Sequence, residues 1–167
     1  EHGAKLNVTT SEITLTGACT KEMSTGRHST PVDALRNWEV KYEGEDDAWH
    51  YAADEGMSVA FTGFYVWSNL FPDSRFIHET VYDSGFSDVY DADDKIIEIV
   101  NRWVEQDEHD LMIAHLGGTD HAGHIYGVRS AEYIAKMNHL DAQLEQIRTS
   151  APDDWTVMIT VLLFSIL

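Results

Sequence analysis

Leu111-Met-Ile-Ala-His-Leu116 is a short apolar run that stops on Gly117-Gly118, and after a polar loop a longer segment, Ala131 to Ile147, follows it with helical spacing. A run of that length closed by glycines reads as a buried strand entering a loop. The later segment spaces Ile134, Met137, Leu140, Leu144 and Ile147 on one side, so it reads as an amphipathic helix packed through that side. Pro152 breaks it, and Trp155 to Leu167 is nearly all apolar and reads as a further buried strand. Strand, loop, helix, strand in this order needs a crossover connection, which places the strands side by side and parallel. The expected fold class is therefore α/β with a largely parallel sheet.

Upstream segments fit that alternation. Gly17 to Met23 opens a short helix after Thr14-Leu15-Thr16. Glu45-Asp46-Asp47 supplies an acidic first turn to Ala48–Ala53, with Gly56 as its stop. Ser58 to Thr62 reads as a strand, and Asp73 to Asp93 as loop with short elements. Ile96, Ile97, Val100 and Val104 mark one face of a helix over Asp94–Val104. Trp49, Trp67 and Trp103 are expected as core anchors.

Charge narrows the function. With 29 Asp and Glu against 11 Lys and Arg, the 167-residue chain carries −18 at neutral pH. A surface that negative repels phosphate backbones, so nucleic-acid binding through a basic face is excluded. At 43% hydrophobic and 11% aromatic residues the chain is no disordered acidic tail. The acidic runs Asp46-Asp47, Asp91-Asp93-Asp94 and Glu105-Asp107-Glu108 lack EF-hand spacing and read as solvated faces and acidic helix starts. Cys19 is the single cysteine, which excludes an internal disulfide and a multi-cysteine zinc site. No signal-peptide pattern follows Glu1, and the stretch from Trp155 falls short of the roughly 20 residues of a spanning helix. Both ends are abrupt, and the chain is expected to be a piece of a larger protein.

The densest chemistry is His115-Leu-Gly-Gly-Thr-Asp120-His121-Ala-Gly-His124-Ile-Tyr-Gly127, directly after a predicted strand. Sites of α/β folds lie outside the carboxyl ends of their strands. Asp120 and His124 offer one hard oxygen and one imidazole nitrogen, and His121 stands beside them. That set suits zinc, although zinc takes four ligands and a polar histidine-bearing loop has the same residues. His28, His50, His78 and His109 have no partner at metal spacing and read as surface residues. Asn7-Val8-Thr9 is a glycosylation sequon. Thr16, ahead of a glycine, reads on its own as a helix cap.

The His115–Gly127 segment resembles the histidine-rich signature of the GPI ethanolamine phosphate transferases, His-x-x-Gly-x-Asp-His-x-Gly-His-x-x-Gly-Pro, with Val128 in place of the final Pro. Ile13 to Gly26 resembles that family's nucleophile segment, Thr30-Pro-Val-Asp33 and Asn37-Trp38 fall at its Thr-Phe-Ile-Asp and Asn-Phe, and Gly63 to Pro72 is similar to its Gly-Asp-Asp-Thr-Trp-x-x-Leu-Phe-Pro. Together these cover about Thr9 to Thr160. The resemblance implies an alkaline phosphatase-like fold, incomplete here, with helices on both faces of the sheet. It implies Thr16 as nucleophile, with Asp120, His124 and Thr16 at a zinc ion, two such ions in a complete domain, and His121 and His115 close behind. It further implies transfer of phosphoethanolamine from phosphatidylethanolamine to a mannose of the GPI precursor, in the lumen of the endoplasmic reticulum. Membrane anchoring would come from segments absent here, together with an accessory membrane subunit. Asp83 to Asp94 and Gly123 to Gly127 look closest to the branch acting on the third mannose.

Departures stand beside the likeness. Phe64-Tyr65 replace two acidic residues, Cys19-Thr20 replace Arg and Leu, and Leu162 to Ser165 stand where Gly-Asp-His-Gly-Met should supply the second ion. One partial domain over residues 1–167, divergent or truncated from 155, accounts for this. The alternatives are a soluble metal-dependent phosphodiesterase or pyrophosphatase of the same superfamily, or a non-catalytic degenerate relative.

Overall fold

The computed structural model describes residues 3–6, 15–37, 39, 41, 44, 46–82 and 88–160. Its elements run α1 (Thr16–Thr25), α2 (Pro31–Leu35), α3 (Ala48–Asp54), β1 (Val59–Phe64), α4 (Val66–Leu70), β2 (Ile77–Tyr82), α5 (Asp91–Gln106), β3 (Leu111–Ala114), α6 (Gly118–Tyr126) and α7 (Ala131–Ser150). The described strands form one parallel sheet in the order β2-β1-β3, with Ala60 opposite Ile77 and Met112. The α/β expectation therefore holds, and the arrangement is that of an alkaline phosphatase-like domain.

Central β1 is buried from Val59 to Gly63, because both of its faces are covered. On one face Val59 and Phe61 meet Ala52 of α3 and Val66, Trp67 and Leu70 of α4. Phe61 stacks on Phe71 at 5.5 Å and on Trp67 at 5.2 Å. A second cluster gathers Ile96 and Val100 of α5 with Phe64, Val81 and Leu116. Trp67 and Trp103 are buried and Trp49 packs against the first cluster, as core anchors should.

Local chemistry sets the helix ends. Thr30 and Asp33 form a reciprocal capping box with Pro31 at the first helical position of α2. Asp47 accepts from the Trp49 and His50 amides and starts α3. Ser130 caps α7 through the Tyr133 amide. Gly26 closes α1 at φ 66°.

Several expectations are corrected. The stretch Asp73 to Asp93 holds β2, whose Thr62-facing register makes it a sheet strand rather than loop. Its alternation Ile-His-Glu-Thr-Val-Tyr is hidden by polar residues that an edge strand tolerates. Residues 155–160 carry no strand, and 161–167 lie outside the described residues. The inward stripe of α7 is rotated: Lys136 is buried and Tyr133, Leu140, Gln143, Leu144 and Ile147 are half-buried, while Ile134 and Met137 are exposed. Not every acid is solvated either, since Asp47 and Asp93 are buried. Of the four histidines read as surface residues only His28 is one. His50 pairs with Asp47 at 2.6 Å, His78 stacks on Phe61, and His109 is buried against Trp103 and the Ser58 hydroxyl.

Candidate active site

β1 and β3 approach so closely at their carboxyl ends that a side chain is excluded. The His115 amide donates to the Thr62 carbonyl at 3.0 Å, and a Cβ on Gly63 (φ 114°) would lie 2.3 Å from the His115 carbonyl oxygen. His115 is thereby laid against Phe64 and Trp67, with ring centroids 5.7 and 6.2 Å away. Trp67 Nε1 donates to its Nδ1 at 3.2 Å. Burial pushes the His115 imidazole down to about 4, with Asp93 pulling the other way. The tryptophan bond favours the same form, because an Nδ1 that accepts carries no proton.

Beyond His115 the chain turns through Gly117-Gly118 into α6, whose N-cap Gly117 has no side chain to offer. A residue of another helix takes that role. Asp93 of α5 accepts from the Gly117 amide at 3.0 Å and from the Gly118 amide at 3.2 and 3.1 Å. A carboxylate at this end of a helix meets both its unpaired N–H groups and its positive dipole end. Lys136 of α7 sits 2.7 Å from Asp93 Oδ2, and both side chains are 0% exposed. Nearby, Asp94 accepts from His139 Nε2 and Gln143 Nε2 at 2.8 and 2.6 Å, a second tie between α5 and α7. Burial works against the Asp94 charge, but these two bonds hold its carboxyl below the usual range.

On α6, Asp120 and His124 are one turn apart and on the same side, with Oδ1 and Nε2 3.6 Å apart. Both side chains are partly exposed, so a carboxylate oxygen and an imidazole nitrogen stand together at the surface, which fits one edge of a divalent-ion site. Among the described residues no group of three or more His, Cys, Asp or Glu side chains converges to complete one. His121 points to the interior side, and burial lowers its imidazole below the ordinary value against the pull of Asp120 and Asp93. Thr16 opens α1, half-buried, its carbonyl taking the Thr20 hydroxyl at 2.8 Å, and the Gly17 amide donates to Asn37 at 2.8 Å. The packing of α1 is on α2 and α3, whereas α6 packs on α7. The structure thus joins Asp120 to His124 and places Thr16 on a different group of helices. Asn7 lies outside the described residues.

Asp93 and Lys136 are the residues that sequence reasoning missed. An acid in a helix's first turn and a lysine in a polar helix are both ordinary on a surface. The available signal was Gly117-Gly118, a helix start with no capping side chain of its own.

These features define an α/β domain that carries a carboxylate–imidazole pair beyond the carboxyl end of a parallel strand. The chain matches the model of the type I phosphodiesterase / nucleotide pyrophosphatase family over residues 17–165, and it belongs to that family. Among curated relatives, it is 28% identical over 130 residues to the human GPI ethanolamine phosphate transferase 2, catalytic subunit, a match covering 78% of this chain and 13% of that protein. It is 26% identical over 141 residues to the mouse GPI ethanolamine phosphate transferase 3, catalytic subunit, covering 83% and 13% respectively. The GPI ethanolamine phosphate transferase 3 of Schizosaccharomyces pombe is 26% identical over 152 residues, covering 89% and 16%. The chain therefore spans less than a fifth of the length of the relatives it matches. Among the described residues no helix is long and apolar enough to cross a membrane.

Proposed function

We propose that this chain is part of the catalytic domain of a GPI ethanolamine phosphate transferase, moving phosphoethanolamine from phosphatidylethanolamine to a mannose of the GPI precursor. The observation that carries the reading is the Asp120–His124 pair, held 3.6 Å apart on the helix that leaves β3. The names of the relatives, which cover most of the chain, support the same substrates. An endoplasmic reticulum location, membrane segments elsewhere in the protein and an accessory subunit belong to this proposal. So does a preference for the third mannose, and so does the sequon at Asn7.

Asp120, His124 and the Thr16 hydroxyl would be ligands to a zinc ion, completed by groups outside the described residues. Such an ion contributes positive charge that makes a hydroxyl acidic and neutralises phosphoryl oxygens. Thr16 is the proposed nucleophile. Its Oγ bonds to phosphorus as the bond to the diacylglycerol oxygen breaks, and its proton leaves with that alcohol. A mannose hydroxyl then bonds to phosphorus, the Thr16 Oγ–P bond breaks, and Thr16 regains a proton. A phosphoryl group on Thr16 would stand at the N-terminal end of α1, where the helix dipole favours negative charge.

Hydrolysis by the same residues is the second reading, favoured by the family's phosphodiesterase and pyrophosphatase membership. Water then replaces mannose in the second displacement. In the full-length protein, Thr16→Ala is expected to lower transfer at least about a thousandfold and to abolish labelling of the protein by phosphoethanolamine. Asp120→Asn is expected to lower bound zinc and transfer together. Release of free phosphoethanolamine without mannose modification would support the hydrolase. A zinc-free protein in which Thr16→Ala changes nothing sinks both enzymatic readings and leaves a non-catalytic relative.

A further inference from the structure

The buried Asp93–Lys136 pair is an expensive device for a helix start. Removing two charges from water costs several kcal/mol per ion, and apolar replacements of buried pairs are often neutral or stabilising. Fold stability alone therefore does not explain it. What the pair does locally is specific. Asp93 holds the Gly117 and Gly118 amides at 3.0 to 3.2 Å, and Lys136 Nζ forms an ion pair with Asp93 Oδ2 at 2.7 Å. Nζ also lies 4.8 Å from the Tyr90 ring centroid, over its face. The fit leaves no slack: a Cβ on Gly118 would lie 2.3 Å from the Val89 carbonyl oxygen, 2.4 Å from Asp93 Oδ2 and 2.5 Å from Lys136 Cε. Three helices, α5, α6 and α7, are thus locked at one point, two residues before Asp120.

We propose that Asp93 and Lys136 are positioning residues for the reaction, fixing the start of α6 so that Asp120 and His124 converge on a divalent cation. Neither touches the ion. Their effect passes through the Gly117-Gly118 amides, which set where α6 begins and hence the direction of its first two turns. This rests on the reading of Asp120 and His124 as ligands.

The test is a zinc titration of the full-length protein against a chromophoric chelator, with amide hydrogen exchange of residues 117–124 measured on the metal-free protein. Asp93→Ala with Lys136→Met removes both charges and leaves an apolar site that can fold. It is expected to weaken zinc about 10- to 100-fold, the range typical for groups behind metal ligands, and to speed exchange at Gly117 and Gly118. Asp93→Asn with Lys136→Met keeps one acceptor for the amides, and zinc binding is expected to recover most of the loss while remaining at least about threefold below wild type. If the first double variant fails to fold, the second decides by that threefold margin. Zinc affinity equal to wild type in a folded double variant overturns the positioning role, whatever happens to the melting temperature. Failure of wild type to bind zinc, or binding unchanged in Asp120→Asn, instead overturns the ligand reading.

Discussion

At His115 two neighbours decide one proton. Phe64 and Trp67 take the ring out of water, and the indole N–H occupies Nδ1 as a donor. The folded value of about 4 lies well below the 6.5 of a free imidazole. The unfolded chain therefore binds more protons between these values, so stability rises with pH across that window. The contribution is full above pH 6.5 and gone below about 4, on the order of 3 kcal/mol for a shift this size. Urea titrations from pH 4 to 7 are expected to show His115→Gln with a flatter pH dependence than wild type. Equal slopes would mean that His115 is not the group responsible.

Among the elements, the β1–β3 contact and the α5–α6–α7 junction both depend on backbone coming nearer than a side chain permits. Gly63 combines φ 114° with a carbonyl oxygen 2.3 Å from its absent Cβ. Gly63→Ala is expected to cost at least about 3 kcal/mol, since strain and steric overlap add. Gly56, at φ 87° with nothing within 4 Å, isolates the strain, and Gly56→Ala is expected to cost only about 1 kcal/mol. Denaturant melts of the two variants check the difference, and similar losses would show that the close approach is not rigid. These elements also show what was legible. The strand at Leu111 and the helix at Ala131 follow from apolar runs and spacing, and α3 follows from the acid before it. Strand β2 did not, because its identity comes from pairing with β1 and polar residues interrupt its apolar ones. Nor did the true inner stripe of α7, because Lys136 turns inward only where Asp93 awaits it.

For the whole molecule, −18 is a sum over mostly surface acids. Self-repulsion of this size opposes compaction and is screened by salt. Raising NaCl from about 0.05 to about 0.5 M is expected to raise the thermal midpoint by a few degrees. A fall would indicate that local attractive pairs such as Arg75 with Asp54 and Asp73 outweigh the repulsion. Only part of the acidity is spent on structure: Asp33, Asp47, Asp93 and Asp94 each hold a helix end or a helix pair.

The sequence by itself determined the α/β class, the starts of α3 and α7 and the family, because periodicity, an acidic helix start and the Asp120–His124 segment are local patterns. Tertiary structure decided which acids are buried, which histidines stay neutral and how α6 is aimed. Those properties arise from desolvation and from charges brought together across the chain, as Asp93 and Lys136 are, and no local pattern encodes a partner 43 residues away.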